Sequence, residues 1–325
     1  MTLQRRDVLR LGAAAVIAAA LPSRADVHSA EGASYGAIDM DWVDAARGRE
    51  VPVRLYLPNA ARAGAPVPLL VFSHGIGGSR RGYSWLGQHA AGRGIASLHL
   101  QHVGSDRQIW TGGNVFNVVG RLQDAAQERE ALARVHDWRF AVDTLLGGEH
   151  ASKIDARRIV AAGHSYGANT TLLASGARVP RSGGAINLHD DRVRAAVVIS
   201  APPFYGEADP KQILGAIKVP SLHVTATEDI IRIPGYYSGA EDRVAVFDAT
   251  GGPRKWLAVY NGGSHSMFTD RAGTGGVALN PAVKAATQAL VLAFVRQVFD
   301  GDEAPLAAWP QRHAAILARF ADVRG

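Results

Sequence analysis

Arg158-Ile159-Val160-Ala161-Ala162-Gly163-His164-Ser165-Tyr166-Gly167-Ala168 is the stretch around which the rest of the chain is organised. Residues 158–162 form a short, mostly apolar run, as expected for a strand covered on both faces. Residues 166–177 read as a helix. Between them, residues 163–167 match G-x-S-x-G. In a chain of this length with 36 glycines, that motif arises by chance about 0.2 times, so alone it is weak. The flanking elements give it weight: a strand enters, a helix leaves, and the tight turn between them lifts a serine hydroxyl above the sheet. Glycine suits both ends of such a turn because helix and strand pack there without room for a Cβ.

Outward from this turn, strand-like and helix-like segments alternate. Residues 51–57 alternate with period two and end at Pro58, which suits a half-exposed antiparallel edge strand. Residues 69–72, 95–100, 193–200, 221–225 and 256–260 read as further strands. Residues 83–92 read as a helix ending near Gly94. Residues 129–146 form a longer helix with Leu132, Val135, Val142 and Leu145 on one stripe. Residues 281–299 open with Pro281, a favourable first-turn residue. Such alternation predicts an α/β fold with a mostly parallel central sheet and helices on both faces. No repeat or Pro/Ser linker interrupts it, so residues 26–325 read as one domain. Residues 103–127, with several glycines and Trp110, read as an irregular insertion over the sheet's C-terminal edge.

The chain of 325 residues is 47% hydrophobic and 20% charged, enough for a large core. It contains no cysteine, which removes disulfides, zinc ribbons, iron–sulfur sites and thiol nucleophiles together. Lys+Arg of 35 against Asp+Glu of 29 gives +6, but beyond the N-terminus no basic run supports nucleic-acid binding. No continuous run of about eighteen apolar residues predicts a membrane span. Arg5, Arg6 and Arg10 precede the short apolar run 12–21, and Ser23-Arg24-Ala25 follows. That pattern predicts a signal peptide over 1–25 and a mature chain starting at Asp26. Arg5-Arg6-Asp7-Val8-Leu9-Arg10 resembles a twin-arginine export signal, which implies the twin-arginine machinery as a partner and a periplasmic or secreted location. Without residues 1–25, 31 basic and 28 acidic residues remain, a balance of +3.

A serine hydroxyl needs a base, itself oriented by a carboxylate. After a turn of this kind the order should be serine, acid, histidine, each following a strand. Strand 221–225 leads to Glu228 and Asp229, and strand 256–260 leads to His265. His189 precedes its strand, His223 lies within one, and His313 is in the C-terminal tail. Asp229 is the preferred acid, with Glu228 as the alternative. A tetrahedral intermediate also needs two N–H donors. Tyr166 N–H, at a helix N-terminus, is one candidate. Ile76 N–H, or alternatively Gly75 N–H, from the loop Ser73-His74-Gly75-Ile76-Gly77-Gly78 is the other. That loop lacks the lysine of a phosphate loop, so no nucleotide cofactor is expected, nor any metal. Trp110, Phe116, Phe204, Tyr205 and Ile231 are candidates to line a substrate pocket or to pack beneath the insertion.

With these residues in hand, the chain resembles the α/β-hydrolase superfamily over residues 35–300. Residues 41–53, Ser73 to Gly78 and Gly163 to Ala168 look like the branch holding the "predicted dienelactone hydrolase" and platelet-activating-factor acetylhydrolase-like proteins. The resemblance implies a serine esterase with Ser165, Asp229 and His265 as triad, Ile76 and Tyr166 at the oxyanion hole, and a small-molecule ester as substrate. True dienelactone hydrolases use a cysteine nucleophile, and secreted polyester hydrolases usually carry a disulfide; this chain can have neither. The same fold acting on lactones, amides or polyesters, or as an acyltransferase, is the alternative, followed by a non-catalytic binding protein. No long amphipathic covering helix is evident in the sequence. A small cleft and short acyl groups of about two to six carbons are therefore expected.

Overall fold

The computed structural model describes residues 26–28, 34–62, 64–112, 115–233, 235–271, 276 and 278–325. The signal-peptide reading of residues 1–25 lies outside them. The N-terminal half runs β1 (Asp26–His28), β2 (Tyr35–Asp44), β3 (Arg49–Pro58), β4 (Val67–Ser73), α1 (Ser84–Gly92), β5 (Ala96–Leu100), α2 (Val115–Ala125), α3 (Glu128–Gly147), β6 (Ile154–His164) and α4 (Tyr166–Ala174). A short hairpin β7–β8 (Arg178–Val179 and Ile186–Asn187), β9 (Val193–Ile199), α5 (Pro210–Leu214) and β10 (Ser221–Glu228) follow. A second hairpin β11–β12 (Ile231–Ile233 and Tyr236–Ser238), α6 (Ala240–Ala249), β13 (Arg254–Ser264), α7 (Leu279–Asp300), α8 (Ala304–Arg312) and β14 (Leu317–Arg324) complete the order.

Ten strands form one sheet in the order β1-β2-β3-β5-β4-β6-β9-β10-β13-β14. The central run from β5 to β13 is parallel, and both edges are antiparallel. Parallel strands need crossovers that cover both faces, so their side chains are apolar throughout. Leu69 to Phe72, Ile159 to Ala162 and Ala195 to Ile199 are accordingly all buried. On one face Trp138, Val142 and Leu145 of α3 and Leu172 of α4 complete the core. On the other, Leu86 of α1 and Val283, Leu290 and Phe294 of α7 do so. The C-terminal ends of β4, β6, β10 and β13 therefore converge on one edge, where the loops carry the chemistry.

Three sequence expectations change. β3 is antiparallel but not an edge strand: it lies between β2 and β5. Pro52 is tolerated because its missing N–H faces the side on which β5 has run out. Its carbonyl points the same way and accepts Gln101 N–H at 2.8 Å, just beyond the last β5 pair, Val53–Leu100. Residues 103–127 are not irregular, since they contain a 3-10 turn (Arg107–Trp110) and α2. Of the stripe expected on α3, Val135, Val142 and Leu145 are buried and Leu132 is only half-buried, and Arg134, Trp138 and Ala141 are buried beside them. The tail adds α8 and the edge strand β14, which pairs antiparallel with β13. α7 is also long and apolar enough in composition to cross a bilayer, but it packs Val283, Ala286, Leu290 and Phe294 on the sheet.

Candidate active site

Ser165 sits between β6 and α4 with φ +56°, in the left-handed region that a side chain rarely enters. Its N–H donates to the Ile199 carbonyl at the end of β9, at 2.9 Å. A Cβ on Gly163 would come within 2.2 Å of the Gly167 carbonyl oxygen, and one on Gly167 within 1.9 Å of the Ser73 carbonyl oxygen. No other residue fits at either position, which locks the turn between β4, β6 and α4.

The structure brings Ser165, His265 and Asp229 together. His265 Nε2 lies 2.8 Å from Ser165 Oγ, and His265 Nδ1 donates to Asp229 Oδ1 at 2.6 Å. Thr225 Oγ1 donates to the other carboxylate oxygen at 2.7 Å. Burial alone would raise the Asp229 carboxyl, but His265 and Arg243 outweigh it and hold it well below the usual carboxylate range. Glu228 is exposed and takes no part. His265 is firmly held by its neighbours. β13 extends to Ser264, Gly262 N–H donates to Thr227 Oγ1, and the buried Met267 and Phe268 anchor the turn that follows.

The loop after β4 is held just as closely. His74 Nδ1–H donates to the Gly75 carbonyl at 2.7 Å, while its Nε2 accepts His102 N–H. In a trans peptide the next N–H points opposite to that carbonyl, so His74 sets the direction of Ile76 N–H. Gly75 N–H is engaged by the Tyr83 hydroxyl at 3.2 Å and Gly77 N–H by the Ser105 carbonyl at 2.8 Å. Of the two donors left open by the sequence, Ile76 is therefore the available one. Trp110 Nε1–H donates to the Gly77 carbonyl and stacks so closely that Gly77 tolerates no Cβ.

Several residues around the site escaped sequence reasoning. The Tyr83 hydroxyl donates to His164 Nδ1, and His164 Nε2–H donates to the His265 carbonyl at 3.0 Å. This chain ties the loop of Gly75 to the backbone of His265. Burial pushes His164 well below the ordinary histidine value, so it acts as a neutral bridge. Arg134 is fully buried and reaches Thr170 Oγ1, Ser105 Oγ and the His74 carbonyl, with its guanidinium 4.6 Å from the Tyr166 ring centre. It thereby braces the Ser73–Gly78 loop and α4 at once. One signal was legible: Arg134 and Asp137 fall in phase with the apolar stripe of α3, where a charge is out of place unless partnered.

Above Ser165 opens a cavity of ≈ 580 Å³. Ile76, Tyr166, Trp110, Phe204, Tyr205 and Ile231 all line it; the Phe116 side chain lies outside the described residues. α2 packs Val118, Leu122 and Ala125 against Ile76, Ile109 and Ile233, roofing part of this space. The volume of this cavity leaves room for acyl groups longer than the two to six carbons expected from the sequence. Among the described residues no group of three or more His, Asp or Glu side chains converges as a metal site.

Strand order, elbow and site loops together define an α/β-hydrolase fold, and solved structures agree. A ferulic acid esterase from Streptomyces cinnamoneus matches with a TM-score of 0.59 at 22% identity, covering 83% of this chain and 91% of that one. A cold-adapted esterase from an Arctic intertidal metagenomic library matches with a TM-score of 0.54 at 20% identity, covering 76% and 92%. Residues 50–111 are similar to the family described as platelet-activating factor acetylhydrolase, isoform II. No curated protein matches the chain significantly in sequence.

Proposed function

We propose that the protein is a serine hydrolase of carboxylic esters. The observation that carries this reading is the hydrogen-bonded chain Asp229–His265–Ser165 at the floor of the cavity, at 2.6 and 2.8 Å. Ser165 Oγ attacks the ester carbonyl as His265 Nε2 takes its proton, and Asp229 stabilises the imidazolium. The oxyanion forms against Ile76 N–H and Tyr166 N–H, each worth about 3 kcal/mol of barrier. His265 then protonates the departing alkoxide, leaving an acyl-enzyme that water, deprotonated by His265, hydrolyses. The similarity of residues 50–111 to an acetylhydrolase family supports an ester as substrate. An acyl group of two to six carbons fits the cavity of ≈ 580 Å³ with room to spare.

The test is a fluorophosphonate probe with p-nitrophenyl esters. Ser165 should label stoichiometrically, and Ser165→Ala should abolish both labelling and turnover. Unlabelled Ser165 in an enzyme that still cleaves esters would place the nucleophile elsewhere. Export through the twin-arginine route is proposed on the pattern of residues 1–25. The mature protein from its native host should begin at Asp26, and Arg5→Lys with Arg6→Lys should retain the full-length chain in the cytoplasm.

A further inference from the structure

The cavity extends well beyond what the reaction centre needs, and its two ends differ. His265 must hand its proton to the leaving alkoxide, so the alcohol side lies toward His265, where Ser266 and Thr269 line the wall. The acyl side lies across Ser165, past the Tyr166 amide. In that direction Tyr166, Asn169 and Leu173 all line the cavity. Their spacing of three and four residues makes them one face of α4. From Ser165 to Leu173 is eight residues, about 12 Å at the rise of an α-helix. Leu132 of α3 and Val179 and Ile186 of the β7–β8 hairpin add an aliphatic wall, while on α4 the Tyr166 hydroxyl and Asn169 Oδ1 are buried polar atoms without a hydrogen-bond partner.

Charged groups sit only at the rim of this arm, and they are occupied with one another. Arg181 Nε donates to Glu128 at 2.8 Å and its Nη1 to Glu207 at 2.7 Å. A tail reaching that end meets a satisfied ion pair, not a free cation, which disfavours an acyl group ending in a carboxylate.

Resting on the serine-hydrolase reading above, we propose that the arm along α4 is the acyl site and that it takes an uncharged aliphatic acyl group of about eight to ten carbons. An extended chain advances about 1.25 Å per bond from ordinary bond lengths and angles, so about 12 Å holds roughly that many carbons. Burial of each methylene raises kcat/KM by about threefold to fourfold while the arm is filling.

The experiment measures kcat/KM for p-nitrophenyl esters of two to twelve carbons, each below its micelle limit, and for octyl acetate, with wild type, Leu173→Trp and Val179→Trp. Wild type should peak at eight to ten carbons. Either tryptophan should lower the octanoate-to-acetate ratio of kcat/KM by at least tenfold. Val179 is buried as well, but in a short hairpin whose neighbours Arg178 and Asn187 are exposed, so that variant keeps the test open if Leu173→Trp does not fold. A wild-type peak at six carbons or fewer, or an unchanged ratio in a folded variant, overturns the proposal. So does a loss confined to octyl acetate, which would make the arm an alcohol site. Absence of turnover on every ester together with an unlabelled Ser165 would overturn the hydrolase reading itself, and the acyl arm with it.

Discussion

Asp229 and Glu228 are neighbours in sequence and opposite in environment. Asp229 is fully buried against His265 and Thr225, while Glu228 faces solvent. Asp229→Asn should lower kcat by about 10³-fold or more, because the amide no longer accepts from Nδ1–H and the wrong tautomer faces Ser165. Glu228→Gln should stay within about twofold in the same steady-state assay. A large loss on Glu228→Gln with a small one on Asp229→Asn would reverse the roles. His74 acts at one remove from the chemistry by holding the Gly75 carbonyl. His74→Phe should lower kcat by about tenfold to a hundredfold, with KM changing little, since an oxyanion donor matters chiefly in the transition state. Turnover normalised to fluorophosphonate-labelled sites separates this from a loss of folded protein. A proportional fall in labelled sites with unchanged turnover per site would make His74 merely structural.

Among elements, the β6–α4 turn is the least tolerant. A Cβ at Gly167 would lie 1.9 Å from a backbone oxygen of β4 that cannot swing aside. Gly167→Ala should therefore destabilise the protein by about 3 kcal/mol or more, seen as a lowered thermal midpoint or insoluble protein. A midpoint within a degree of wild type would show that β4 and α4 can separate there. α2 shows how an element goes unread. Val115, Val118, Val119, Leu122 and Ala125 repeat at helical spacing, yet the glycines and Trp110 just before them suggest a loop. β3 misleads in the other direction: its proline marks an edge locally, and only the length of β5 shows that the missing donor costs nothing there.

Across the whole molecule, buried charge sets the response to pH. Burial would raise Asp39 and Asp137, but Arg54 and Arg81 bring the first, and His102 and Arg49 the second, down to about 2. The unfolded chain titrates nearer its ordinary value, so it takes up protons first as pH falls. Each pair therefore contributes about 2 kcal/mol above about pH 4, lost progressively toward pH 2. Burial also lowers His99 to about 4 and His102 and His223 to about 3. These have the same sign over a higher range: the unfolded histidines protonate below about pH 6.5 while the folded ones do not. The urea midpoint should thus be level near pH 7 to 8, decline below about 6.5 and fall most steeply between about 5.5 and 3. A stability maximum near pH 4 would contradict this balance.

By itself the sequence determined the strand–turn–helix at Ser165, the parallel core and the loops at which an acid and a histidine follow their strands. These are local properties, written in hydrophobic period, glycine placement and chain order. Only the tertiary structure decided which carboxylate meets His265, which amide of the Ser73–Gly78 loop is free, and how far the cavity runs along α4. It alone brought Tyr83 to His164 and Arg134 to both His74 and Tyr166. Adjacent residues share composition and motif but point in different directions, and their partners lie tens of residues away along the chain. Contact between them depends on how strands, helices and loops are stacked, which no local pattern encodes.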